Sequence, residues 1–284
     1  MNKLNFLILK RIVPLLYLLI LSFLSSCKMM GFVPMKEHVH KEDITTIGQL
    51  AYNVNPELGY RIYIEESGKL VPYLVLTDDY NGSGMTLLLR EYVLPESRRY
   101  HDIFERRNAA YYNGSEIDLW LSYEFIKTIK GVYIQYTTIN ISAEEALGRC
   151  GEETENIIRK VFFLSFGELG GGKSSVIPAS GEPLDYFTDE PTNRIAYCEN
   201  ELDTPCGWWT RSADTWNFNA PVGVGGKGQM GGSGAQYKLS VRPAFCLNSE
   251  TEIVLYKSSK LGEVFIIKKR DNTPPSLMAS SKKD

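Results

Sequence analysis

One run carries most of the architectural information in this chain: Tyr60-Arg61-Ile62-Tyr63-Ile64-Glu65-Glu66-Ser67-Gly68-Lys69-Leu70-Val71-Pro72-Tyr73-Leu74-Val75-Leu76-Thr77. Residues 60–64 and 71–77 alternate on either side of a Ser67-Gly68 turn, the pattern of a β-hairpin with one face buried. Outward from it, residues 85–89 form a third, more continuously apolar strand after the Asn81-Gly82-Ser83-Gly84 turn. The period then changes. Ser115-Glu116-Ile117-Asp118 is a capping-box-like start, and Ile117, Leu121 and Phe125 fall on one helical face. Ser142-Ala143-Glu144-Glu145 opens a second short helix by the same logic, and residues 161–166 read as another strand. Residues 167–234 are rich in Gly, Pro, Asn, Asp and aromatics with little periodicity, which reads as long irregular structure. Residues 238–247 return to strand, and 252–257 with 263–268 make a last hairpin. The expected fold is α+β, with long irregular loops, an N-terminal β-hairpin and a C-terminal β-hairpin extension.

The N-terminus reads as an address. Lys3, Lys10 and Arg11 precede an apolar run over residues 12–24. Thirteen residues in a helix reach ~20 Å, short of the ~30 Å hydrocarbon core, so a secretory signal fits better than a membrane span. Leu24-Ser25-Ser26-Cys27 then resembles the bacterial lipobox, which implies that Cys27 becomes a lipidated N-terminus whose thiol forms the thioether. This divides the chain into a lipoprotein signal peptide (1–26), a lipid-anchored tether (27–42), a main domain (43–248), the hairpin extension (249–271) and a disordered tail (272–284). The expected location is the bacterial cell envelope, outside the cytoplasm, on the outer membrane in a Gram-negative cell.

Removing the signal takes away three cations and no acid, so the net charge moves from −3 to −6. An acidic mature chain argues against a nucleic-acid partner. With 43% hydrophobic and 23% charged residues, wholesale disorder is excluded as well.

Four blocks occur in order: Thr86-Leu87-Leu88-Leu89-Arg90; Tyr112-Asn113-Gly114-Ser115 leading to Trp120-Leu121; Phe162-Phe163-Leu164-Ser165; and Trp208-Trp209-Thr210-Arg211-Ser212 with Val241-Arg242-Pro243-Ala244-Phe245. Together they resemble a domain of unknown function found in bacterial and phage surface proteins. Its signature runs from a leucine-rich strand through an S-x-(I/L)-x-x-W-L helix to FLLS, WW-x-RS and VRPA. Phe163 departs from it, standing where relatives carry Leu. The closing half also resembles the C-type-lectin-like fold, a scaffold shared by formylglycine-generating enzymes and surface-display modules. Such a resemblance implies architecture and not a reaction.

Gly167-Glu168-Leu169-Gly170-Gly171-Gly172-Lys173-Ser174 matches the phosphate-binding loop formally. That motif needs a helix starting at its Lys-Ser end, and Pro178, Gly181 and Pro183 forbid one, so no nucleotide is expected. The aromatic candidates for a ligand surface, within a loop region from Tyr186 to Phe218, are Trp208, Trp209 and Trp216 with Tyr186, Phe187 and Phe218. At least one of Trp208 and Trp209 is expected in the core, which leaves Trp216 and Phe218 as the exposed pair, with Asn217 and Asn219 as amide donors to hydroxyls. Arg211 and Arg242 either form an anion pocket or, the preferred reading, pair with acids such as Asp185, Asp189 or Asp214. The lectin resemblance would imply calcium ligation by Glu190-Pro191-Thr192-Asn193 and Trp216-Asn217-Phe218, but Thr192 replaces an Asn and the Asp is missing. Zinc finds only His38, His40 and His101 and no Cys-x-x-Cys. No metal or other cofactor is expected, and no catalytic triad emerges. Cys150, Cys198, Cys206 and Cys246 allow three pairings, Cys198 with Cys206 and Cys150 with Cys246 among them, or four free thiols. The expectation is a non-catalytic, membrane-tethered domain that binds a glycan or a surface protein. The alternatives are an enzyme acting on envelope polymer, or an adhesin or fimbrial accessory subunit.

Overall fold

The computed structural model describes residues 39–102 and 108–268. The signal segment, Cys27, most of the tether and the C-terminal tail lie outside the described residues. Among those described, no helix is long and apolar enough to cross a membrane.

From His40 onward the described chain belongs to one unit. Strands β1 (Arg61–Glu66) and β2 (Lys69–Thr77) form the expected hairpin, with Ile62 opposite Tyr73 and Ile64 opposite Val71. Ser67 and Gly68 both have positive φ, the turn geometry whose twist matches a two-residue hairpin. Strand β3 (Met85–Arg90) pairs antiparallel with β2. After β4 (Arg98–Arg99) comes helix α1 (Glu116–Tyr123). The Ser115 Oγ accepts the Asp118 amide, which satisfies one orphan donor of the first turn, and the Asp118 carboxylate reaches back to accept the Gly114 amide just before the cap. Asp118 also receives a bidentate fork from Arg159, with both oxygens at 2.7 Å.

Strand β5 (Ile129–Lys130) leads to the hairpin β6 (Thr137–Ser142) and β7 (Thr154–Arg159), then to β8 (Val161–Phe162) and the single-turn helix α2 (Asp185–Asp189). Residues 196–232 hold five strands: β9 (Ala196–Cys198), β10 (Glu201–Cys206), β11 (Trp208–Ala213), β12 (Pro221–Val224) and β13 (Met230–Gly232). The chain closes with β14 (Lys238–Leu239), β15 (Ala244–Asn248), β16 (Ile253–Ser258) and β17 (Gly262–Ile267).

The main sheet runs β16-β17-β1-β2-β3-β15-β8, with β5 also pairing β1. Its central strands β2, β3 and β15 are buried along nearly their whole length, so both faces are covered. Separate small sheets are formed by β9-β10, β11-β12-β13, β4-β14 and β6-β7.

This corrects the expected C-type-lectin-like α+β fold. The described residues are mostly β, divided among several sheets, and α1 is the one helix among them longer than five residues. The misreading has a physical cause. All six residues of β11 are buried, which erases the alternation that marks a strand. Its neighbours β9, β12 and β13 are only three or four residues long. Gly223 in β12 lets the Leu239 side chain lie against the strand, since a Cβ there would sit 2.7 Å from its Cδ1. The C-terminal hairpin is likewise no extension. Strand β17 pairs in parallel with β1, so the hairpin completes one edge of the main sheet. The second expected short helix is a 3-10 turn, Glu144–Ala146.

Candidate functional site

A groove of about 760 Å³ opens between the β6-β7 hairpin and two segments distant from it in sequence, around Tyr111 and at Phe218. One wall is the turn after β6, carrying Glu144, Glu145 and Arg149; another is Thr154 and Glu155 at the start of β7; the third brings Asn108, Tyr111 and Phe218. Backbone bonds fix these walls. The Ala110 amide donates to the Phe218 carbonyl at 2.9 Å, and the Cys150 amide donates to the Thr215 carbonyl at 3.1 Å. Gly148 has φ +72°, and a Cβ there would sit 3.3 Å from the Phe218 ring, so a glycine lets this turn close onto the aromatic.

The polar lining is already organised. The Tyr111 hydroxyl donates to the Glu155 carboxylate, and Asn113 donates to that hydroxyl at 3.3 Å. Burial and the bond to Glu155 raise the Tyr111 pKa, the bond from Asn113 opposing them, so the phenol stays a neutral donor. Asn108 donates to Glu144 at 3.2 Å. Three carboxylates face one guanidinium, Arg149, so the groove is acidic. It combines an aromatic face that is 40% exposed, at Phe218, with acceptors suited to hydroxyl or amine donors.

A second cleft, of about 550 Å³, lies along Arg98, Arg99, Trp120 and Lys238. The Arg98 guanidinium sits 4.0 Å over the Trp120 ring and covers the face that a ligand would stack on.

The structure separates the sequence candidates into two groups. Trp216 and Phe218 share one surface loop, with Trp216 72% exposed. Asn217 and Asn219 belong to the same loop, but their side-chain oxygens are used within the fold: Asn217 accepts the Asn219 amide and Asn219 accepts the Ala109 amide. Trp209, Arg211 and Arg242 are buried and line neither of these two clefts. Both tryptophans of the Trp208-Trp209 pair are fully buried, their indole N–H groups donating to the carbonyls of Arg194 and Arg98. Arg211 does pair with an acid, but the acid is Glu168, and none of Asp185, Asp189 and Asp214. Among the described residues Arg242 forms no ion pair; its Nε donates to the Arg90 carbonyl at 3.0 Å. Cys150, Cys198, Cys206 and Cys246 are all free thiols.

The phosphate-loop look-alike has a structural explanation. No helix begins at Lys173-Ser174, and the next one is α2. The turn delivers Glu168 into the core, where Gly181 at φ +77° passes so close that a Cβ would lie 2.7 Å from the carboxylate. Glu190, Thr192 and Asn193 hold a 3-10 turn through Glu190–Thr192 and Asn193–Tyr186 bonds, and no metal-holding cluster occurs among the described residues. Sequence reasoning missed Tyr111, Glu144, Glu145, Arg149 and Glu155. The single sequence signal near them is the Glu pair after Ser142, which reads equally well as a helix start.

Residues 83–249 match the family described as a domain of unknown function, DUF6273. The chain belongs to the DUF6273 family. No curated protein and no solved structure matches it. The DUF6273 region contributes the contiguous strands β3, β15 and β8 at one end of the main sheet and also β5, which pairs β1, while β16, β17, β1 and β2 lie outside the region. The acidic groove falls wholly inside the DUF6273 region.

Proposed function

We propose that this protein is an envelope-anchored lipoprotein whose DUF6273 domain binds a glycan, without catalysis, in the groove between Phe218 and the Glu144–Glu155 wall. The observation that carries this reading is the meeting of an exposed aromatic with three carboxylates and a tyrosine hydroxyl in one concavity. A pyranose offers an apolar CH face for Phe218 and hydroxyls for the carboxylates, and Trp216 on the same loop extends the stacking surface. The excess of carboxylates favours neutral or amine-bearing sugars over polyanionic ones. Lipidation at Cys27 would hold the domain at a membrane surface where such polymers lie.

Glycan-array screening of the mature protein, followed by calorimetry on the best ligand, tests this. Phe218→Ala is expected to weaken binding about tenfold or more, as removal of an aromatic anchor does. Glu155→Gln should weaken it less while leaving the fold intact. If no glycan binds, or if both variants bind as tightly as the parent, the groove is not a sugar site.

A further inference from the structure

Cys198 and Cys206 lie on the two strands of the β9-β10 tongue, whose β10 side is exposed along almost its whole length. Cys206 pairs across the ladder with Ala196, and Cys198 is two residues further along the same strand, so both side chains project from one face. The ladder is irregular between Glu201 and Pro205, so Cys198 faces Glu201 instead of continuing the register set by Cys206 and Ala196. The Cys198 thiol is directed at the Leu94 carbonyl at 4.0 Å and the Cys206 thiol at the Thr204 carbonyl at 3.5 Å, and burial, with the neighbouring Cys206 adding to it, pushes the Cys198 pKa up to about 11. The other two cysteines stand apart from them: Cys246 is buried in β15 opposite Leu87, and Cys150 lies in the loop bonded to Thr215.

The geometry points to a redox modification site: Cys198 and Cys206 form an intramolecular disulfide when the protein meets a donor disulfide. The Cys206 sulfur, the more exposed end, attacks one sulfur of the donor as its thiolate and releases one donor thiol. The Cys198 sulfur then attacks the mixed disulfide at Cys206 and releases the second. The protein pair gives up two electrons and two protons, and the donor is reduced to two thiols. The bond would staple the tongue at the place where Cys198 bridges Val93 and Glu199 reaches the buried Arg90 at 2.9 Å. Export from the cytoplasm, as the N-terminal sequence suggests, would expose the pair to such donors.

The test equilibrates the full mature protein with oxidised glutathione, blocks remaining thiols by alkylation, and maps peptides by mass. Both cysteines fall in one tryptic peptide, residues 195–211, which should be lighter by two hydrogen atoms and should gain two alkyl groups only after reduction. In the folded Cys206→Ser variant, Cys198 should remain alkylatable. Overturning results are two alkylated thiols in that peptide, a stable glutathione adduct at either position, or linkage of either residue to Cys150 or Cys246. The wild-type map stands even if the serine variant does not fold.

Discussion

Arg211 and Arg242 are both sealed in the core, each in one of the two most recognisable sequence blocks, but their surroundings differ in kind. Arg211 meets Glu168 in a bidentate fork, with both contacts at 2.7 Å. Its other donors reach the carbonyls of Phe163 and Asn140 at 2.6 and 2.9 Å. Glu168 is completed by the Tyr80 hydroxyl and the Ser165 amide. Burial alone would lower the Arg211 pKa, but Glu168, helped by Tyr80, reverses this and raises it above the ordinary value. Arg242 has the Arg90 carbonyl and the Trp208 ring, at 5.2 Å from its guanidinium carbon, while its Nη1 has no hydrogen-bond partner. Burial therefore wins there and pulls the pKa down to about 10. The first site is a closed ionic knot joining β11, the β6-β7 hairpin and the Glu168 turn. The second is a cation kept by packing. Sequence equivalence of two arginines says nothing about which one the fold leans on.

Breaking the knot from one side should give the largest effect. Arg211→Met leaves the Glu168 carboxylate buried without its counterion, and urea unfolding should show a loss of about 3–5 kcal/mol. Adding Glu168→Leu should recover most of that loss, because two charges then leave the core together. A single variant costing less than about 1 kcal/mol would show that the pair is not energetically closed.

The same substitution at the other site should do far less. Arg242→Met discards a charge that Tyr186 and Glu91 only partly compensate against burial, and keeps a stem to pack on Trp208. Its stability should stay within about 1 kcal/mol of the parent, because the cation–π contact that is lost is itself small. If Arg242→Met destabilises as strongly as Arg211→Met in the same urea titration, the two sites are energetically alike and the contrast fails.

The difference between the sites also explains what could be read in advance. The hairpin of β1 and β2, the Ser115 cap of α1 and the final hairpin were legible because alternation and capping are local signals. An acid partner for Arg211 was legible as a need, since a buried guanidinium calls for one. Its identity was not, because Glu168 sits inside a glycine-rich turn that imitates a phosphate loop. Burial of all of β11 removed the very pattern by which strands are recognised. The parallel pairing of β17 with β1 joins opposite ends of the domain and leaves no trace in either strand's own sequence. Nor could the groove be read, since Tyr111, Glu155 and Phe218 come together only after the β6-β7 hairpin and two separate loops have folded.

The smallest expected effect is one of slope, and it separates the two arginines by sign. Buried Tyr73, Tyr80, Tyr100 and Tyr112 have pKa values raised well above 10 by desolvation, with neighbouring acids adding to it. Their stabilising contribution is complete below pH 10 and is lost as the pH climbs from there toward their folded pKa values, because the unfolded chain gives up those protons first. Arg242 works in the opposite direction. Between its folded pKa of about 10 and its ordinary value of 12.5, the unfolded state holds the proton that the folded state releases. Its burial penalty therefore fades with rising pH and partly offsets the tyrosines. Arg242→Met removes that offset, so its stability should fall more steeply above pH 10 than the parent's when urea midpoints are compared across alkaline buffers. Arg211, raised rather than lowered, provides no such relief. The double variant Arg211→Met/Glu168→Leu should therefore keep the parental slope over the same interval. Equal slopes in Arg242→Met and the parent would mean that Arg242 keeps its proton in the core and has found a counterion.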